Sequence, residues 1–194
     1  MKTSILFAAL GFLTLTGCIT NPDKPTMNAS AFNQPIGAIY VMPLIDARKD
    51  KSGQFDADDI QRVRDLVRTK LQGLGYQAIM VDSWRKDAST TDEQLAQMSD
   101  AALCQLAPAE SQVFLAITVT DVEDTYAAVM SSYTITGCFT LLDRAKGAAI
   151  WKCTGTGAHG GGGIIGSVVV QVDKRIEAQT GFVNILSSVP QNKK

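Results

Sequence analysis

The chain has 194 residues, 45% of them hydrophobic and 19% charged, and 18 Lys and Arg against 19 Asp and Glu leave a formal net charge of −1. That size holds one ordinary globular domain at most. Scattered, nearly balanced charge leaves no electrostatic footprint for a phosphate backbone, so nucleic acid is excluded as a main partner.

Residues 1–17 read as a signal peptide. Met1-Lys2-Thr3 give a positive start, Ile5 to Leu15 an apolar run, and Thr16-Gly17 the small residues ahead of Cys18, which is the three-part layout of an export signal. The run is shorter than the roughly 20 residues a membrane span requires. Leu15-Thr16-Gly17-Cys18 resembles the bacterial lipobox, in which small residues admit the signal peptidase and the Cys thiol is joined to diacylglycerol. Cys18 is therefore the expected lipid-attachment residue. Several palmitate-type chains on one sulfur hold a domain at a membrane, since each buried methylene contributes about 0.8 kcal/mol. Ile19 rather than Asp follows the Cys, and resemblance to lipoproteins of known sorting then implies the outer membrane, with the domain in the periplasm. Residues 18–35 are rich in Asn, Pro, Thr and Ser without apolar periodicity, which predicts a flexible tether.

The domain itself is expected over 36–189, with 190–194 as a tail. Gly37 to Leu44 reads as a buried first strand. Ile60, Val63, Val67, Leu71 and Leu74 recur at helical spacing, Asp58 and Asp59 favour the helix start, and Gly73 and Gly75 stop it. Tyr76 to Val81 supplies a second strand, parallel to the first. Thr90 and Thr91 open a second helix running to Leu106, which Pro108 ends. Val113 to Thr120 and Tyr126 to Leu142 read as strands three and four, and Asp143 to Gly147 as a turn. Ala148 to Thr156 returns as strand five in a hairpin. Glycines from Gly155 to Gly166 lead into a last helix carrying Ile165, Val168, Val169, Val172 and Ile176. The prediction is an α/β fold: one mixed sheet of about five strands with helices packed on it.

These landmarks are a strand ending Met42-Pro43, a helix ending Gly75-Tyr76, a hairpin with Leu141-Leu142-Asp143 and Lys146-Gly147 before Ile150-Trp151, then Gly160 to Gly166 and a closing helix. In this order they resemble a family of bacterial lipoproteins of unknown function that neighbours the curli-type CsgG secretion lipoproteins and the amino-terminal domain of TolB. The resemblance covers nearly the whole mature chain. It departs at Pro108 to Gln112 and in the tail from Pro190 to Lys194. It implies a periplasmic domain on an outer-membrane anchor that serves an export or assembly complex. The partners implied are the membrane, other envelope proteins including a CsgG-type lipoprotein, and further copies of the chain.

Catalytic chemistry is poorly supplied. Gly155-Thr156-Gly157-Ala158-His159-Gly160 satisfies the spacing of a phosphate-cradling loop, but no strand follows its helix and no strand-end acid is placed for a ribose. His159 is the sole histidine and sits among glycines, a poor place to fix a base or a metal. No catalytic residue, metal or cofactor is expected. Asp121, Glu123 and Asp124 read as a solvated cluster in a connection. Pairing Leu142 with Ala148 sets Tyr133, Ile135, Phe139 and Leu141 on one face with Ala149, Trp151 and Cys153, and turns Cys138 away. A one-residue slip would set Cys138 opposite Cys153 but divide the apolar residues between faces, and in the first register Cys104 remains a candidate to reach Cys153, so the bridge stays unassigned. Trp84 in a loop, and Ile164, Ile165 and Val168 in the apolar start of the last helix, are the candidate partner contacts, with burial in the core as the alternative for each. The reading that follows is a non-catalytic, protein-binding envelope lipoprotein. The alternative is a periplasmic module for a small ligand or glycan.

Overall fold

The computed structural model of the chain describes residues 18–51, 55–85, 87, 89–127, 130–162 and 168–192. Among the described residues the chain forms one mixed sheet of eight strands, four α-helices and two short 3-10 helices. The strands are β1 (Cys18–Pro22), β2 (Thr26–Met27), β3 (Ala38–Val41), β4 (Ile45–Asp46), β5 (Gln77–Met80), β6 (Val113–Ala127), β7 (Met130–Asp143) and β8 (Ala148–Gly162). The helices are α1 (Ala57–Gly73), α2 (Asp92–Gln97), α3 (Asp100–Leu106) and α4 (Val168–Val183). The sheet runs β1-β8-β7-β6-β3-β5, with β2 also on β8 and β4 also on β6.

The α/β class holds, while the strand count rises from about five to eight. Two of the additions come from residues 18–35, whose composition suggests a tether. Instead β1 and β2 lie antiparallel along β8, and Asp23 and Asn28 donate backbone bonds to Thr154 and Ile150 at 2.8 and 2.9 Å. A strand at a sheet edge needs only backbone partners, so Asn, Pro and Thr serve without an apolar pattern. The third addition, β4, pairs parallel with β6 over two residues.

The strand–helix–strand unit β3-α1-β5 is parallel as predicted. Asp56 caps α1, accepting from Asp58 and Asp59 backbone N–H groups at 2.9 and 3.1 Å, and Asp59 returns the capping box. The helix predicted from Thr90 to Leu106 is broken. Met98 takes an extended backbone, and Ser99 starts α3 afresh by accepting from the Ala102 N–H.

In the hairpin, Asp143 pairs with Ala148 and Leu142 with Ala149, then a bulge shifts the register so that Leu141 faces Trp151 and Phe139 faces Cys153. The expected Leu142–Ala148 pair is thus displaced. The bulge nevertheless leaves Tyr133, Ile135, Phe139, Leu141, Trp151 and Cys153 in one buried cluster. A second bulge between Val119 and Asp121 carries β6 on to Ala127. Asp121, Glu123 and Asp124 therefore lie in a strand and not in a connection.

The sheet separates two cores. Against one face, α1 and α4 bury Val63, Val67, Leu71, Ala178 and Phe182 with the hairpin residues. Against the other, α2 and α3 bury Leu95, Leu103 and Cys104 with Met42, Phe114 and Leu142. Gly155 to Gly162, whose glycines are expected to serve as a flexible crossover or as a site of close backbone approach, belongs to β8, and close approach is what Gly155 and Gly157 provide. A Cβ on Gly157 would meet the backbone of α4 at Ala178 O and Phe182 N, and one on Gly155 would come within 2.7 Å of Ile185 Cδ1 and 2.9 Å of Pro22 Cα. No helix among the described residues is long and apolar enough to cross a membrane.

Candidate functional site

The residue expected to carry lipid opens the first strand. Cys18 pairs with His159, Ile19 with Ala158 and Thr20 with Gly157, and the Thr20 hydroxyl donates to Gly181 O at 3.1 Å. No free spacer separates Cys18 from the sheet. Following the ladder sideways from Cys18, the same row holds His159, Tyr133 and Asp124.

A buried polar cluster sits beside this row, where α1 and α4 meet the sheet. Asp59, with a side chain only 3% exposed, accepts from Arg62 Nη1 and Gln179 Nε2, both at 2.8 Å. Arg175 reaches Asp59 on one side and Asp124 on the other, each at 3.7 Å, and its guanidinium lies 5.7 Å from the Tyr133 ring centre. Arg48 is buried. It grips Asp46 with Nε and Nη2 at 2.8 and 3.0 Å, donates to Phe55 O at 3.2 Å and covers the Phe55 ring. Such a forked guanidinium–carboxylate pair is the strong kind of hydrogen bond.

The protonation states follow from these contacts. Burial opposes ionisation of Asp46, but the hydrogen bonds and charge of Arg48 outweigh it and hold the carboxyl below its ordinary value. The Asp46 hydrogen bond raises Arg48 against a smaller cost of burial. Burial, reinforced by the Asp59 charge, pushes the Tyr133 hydroxyl well above its usual range, so Tyr133 stays protonated. His159 is buried, and its Nδ1 lies 2.5 Å from Glu177 Oε2 but out of alignment for a hydrogen bond. The cluster therefore works as a charged brace that ties α1, α4 and β6 together, its members partnering one another.

The three cysteines of the domain are free thiols. Cys104 and Cys153 lie in cores on opposite faces of the sheet, so the bridge considered between them has no geometry. Burial raises both thiols, which leaves them poor nucleophiles. Among the described residues no group of three or more His, Cys, Asp or Glu could hold a metal ion.

Trp84 is corrected from partner contact to core. It is 6% exposed, its indole donates to Pro43 O at 3.1 Å, and it stands edge-on to Phe114 at 6.1 Å. Its polar surroundings in sequence, Asp82-Ser83 and Arg85, concealed that the chain folds back over α3 there, with Arg85 N bonded to Leu106 O. Ile164 and Ile165 lie outside the described residues, and Val168 begins α4. The brace was missed because Arg48, Arg175 and Gln179 carry no motif. The one legible signal was Asp59 falling on the apolar side of an otherwise regular helix.

A second feature is a groove of about 760 Å³ at the opposite end of the hairpin, lined by Cys104, Ser111, Gln112, Asp143, Arg144 and Lys146 among others. Arg144 spends its donors there on Cys104 O and Ala109 O, and Lys146 pairs with Asp143 at 2.8 Å.

No family model matches the chain, and no curated protein does. Solved structures do. The PelC dodecamer from Paraburkholderia phytofirmans aligns with a TM-score of 0.51 and 14% identity, over 91% of this chain and 100% of that one. A Xanthomonas campestris protein of the DUF330 family model gives a TM-score of 0.51 and 16% identity, over 84% and 89%. Lipoprotein GNA1162 from Neisseria meningitidis aligns more loosely, at 0.45 and 19%, over 71% and 92%. At these identities the first two share the fold of this chain.

Proposed function

We propose that the chain is a lipid-anchored bacterial envelope protein, held at the outer membrane through Cys18, that binds other envelope proteins and copies of itself in an export or assembly complex. It carries out no catalysis. The observation that supports the reading is that the lipobox Cys is itself paired into the sheet, Cys18 with His159. Assembly with further copies is supported by the fold shared with PelC, which is described as a dodecamer. A CsgG-type lipoprotein is the heterologous partner that the sequence resemblance implies.

The test is expression with the native signal, metabolic labelling with palmitate, and crosslinking with size-exclusion chromatography in mild detergent. Label should enter the wild type and vanish in Cys18→Ser, and the acylated protein should elute larger than a monomer or with envelope proteins attached. Unchanged label in Cys18→Ser, or a bare acylated monomer, defeats the proposal. The groove beside Arg144 favours a second reading, a small-ligand or glycan module. A monomer whose melting temperature rises with an added sugar would support it.

A further inference from the structure

Strands β6, β7 and β8 do not stop at the level of Cys18. Beyond the row that joins Cys18, His159, Tyr133 and Asp124, the ladder continues through Thr125–Ser132–Gly160 and Tyr126–Ser131–Gly161 to Ala127–Met130–Gly162. Three further residues at about 3.3 Å each carry the sheet roughly 10 Å past the anchor row. The headgroup layer of one leaflet is only about 5–7 Å deep. An acylated sulfur at Cys18 has no slack to hold this end away from the lipid, because β1 is paired from its first residue.

The chemistry of that end matches its position. No Asp, Glu, Lys or Arg occurs between Asp124 and Asp143, or between Lys152 and Asp173, or from Cys18 to Pro22. The last paired residues of the β6–β7 hairpin include Tyr126, Ala127 and Met130, none of them charged. Tyrosine suits a membrane interface, with an apolar ring and a polar tip. The opposite end of the same ladder carries Asp143, Arg144 and Lys146 and lies some 11 residues, or roughly 35 Å, from the anchor row.

We infer that the uncharged end of β6, β7 and β8 is a lipid-contacting surface that enters the leaflet holding the Cys18 acyl chains, through the headgroup layer. This fixes the orientation of the domain, with the β7–β8 turn and its groove facing away from the bilayer. The inference rests on acylation at Cys18 and adds to it a second, non-covalent contact with the same membrane.

The experiment uses the full acylated protein in vesicles of phosphatidylethanolamine and phosphatidylglycerol. An environment-sensitive fluorophore is placed at Met130→Cys or at Ala145→Cys, each in a Cys138→Ser background, and quenched by lipids brominated near the headgroup. Flotation of the vesicles is read first, and a protein that fails to float overturns the anchored reading and this inference with it. In floating protein, quenching should be about threefold stronger at Met130→Cys than at Ala145→Cys, as the depth difference requires. Tyr126→Asp should abolish the difference while flotation persists. Equal, weak quenching at both positions in floating protein overturns the inference and leaves acylation standing. Protection of Met130→Cys without lipid quenching assigns the end to a protein neighbour and overturns it as well.

Discussion

The two helix layers hold to the sheet by different physics. The layer of α1 and α4 is seated by close backbone approach at Gly157 and by the charged brace from Asp59 through Arg175 to Asp124. The layer of α2 and α3 is short and held chiefly by apolar burial of Leu95, Leu103, Trp84 and Phe114. Glycine contact and a brace tolerate little displacement, because backbone and fixed charges cannot reshape themselves. An apolar cap can repack. The rigid layer is also the one bonded to the strand that begins at Cys18, through Thr20 and Gly181. Any pull on β1 therefore meets the stiffer half first.

Single substitutions break this contrast at different points. The largest effect is expected at Gly157→Ala, where the added methyl would lie on the α4 backbone and no side-chain rotation relieves it. The cost should exceed about 3 kcal/mol, read as loss of soluble, cooperatively melting protein. Gly160→Ala is its control. A Cβ there meets nothing within 4 Å, and stability should change by less than about 0.5 kcal/mol. If both variants melt alike, close approach of α4 to β8 is not what the glycine provides.

In the other layer, Trp84→Ala should cost about 3–5 kcal/mol by leaving a cavity beside Phe114, measured by urea unfolding. Recovery of partner proteins per folded molecule should stay unchanged, since the indole is buried. Loss of partners from a folded Trp84→Phe variant would return this residue to the binding surface.

The contrast between layers also marks what the sequence disclosed. Helix α1 was legible because Val63, Val67 and Leu71 repeat with the helical period between the acidic start at Asp58 and Asp59 and the stop at Gly73 and Gly75. The β3-α1-β5 unit followed from its order. By contrast, β1 and β2 were hidden because an edge strand is held by its backbone, which leaves no trace in side-chain patterning. The break at Ser99 was hidden by two short helices whose apolar residues happen to stay in phase. The glycines from Gly155 left flexibility and close backbone approach both open, and the helix lying across Gly157 decides for the second. Of the candidate site, the expectation at Cys18 comes from a local motif, whereas the brace leaves no local trace, because its members come from α1, α4 and β6.

Between the two layers' extremes lies the brace. Asp59→Ala leaves Arg62, Arg175 and Gln179 without their shared acceptor and should cost about 3 kcal/mol, the low end for breaking a buried pair, because the Arg62 side chain is 36% exposed and can turn to water. Asp59→Asn keeps an oxygen for Gln179 and should cost less. A double-mutant cycle with Arg175→Met checks the coupling. Strict additivity would show that the 3.7 Å contact between Arg175 and Asp59 carries no energy.

The smallest effect separates the layers by pH. Asp46 in the first layer and Asp143 beside α3 both ionise more readily than an ordinary carboxyl: in each, burial opposes the charge and a cationic neighbour outweighs it, Arg48 for Asp46 and Lys146 for Asp143. A carboxyl with a depressed folded value contributes stability above its unfolded value near pH 4, and that contribution is lost as pH falls through the folded value. Stability should therefore decline below about pH 4 through both groups. Their shares differ because Arg48 is 3% exposed and Lys146 is 55% exposed. Water and salt screen the Lys146 pair, and a buried guanidinium that loses its carboxylate has no such relief. Asp46→Asn should flatten the acid limb of the unfolding free energy more than Asp143→Asn does, and added salt should erase the Asp143 share first. The reverse ranking would mean that the turn beside α3, rather than the Asp46–Arg48 pair, carries the more deeply committed charge.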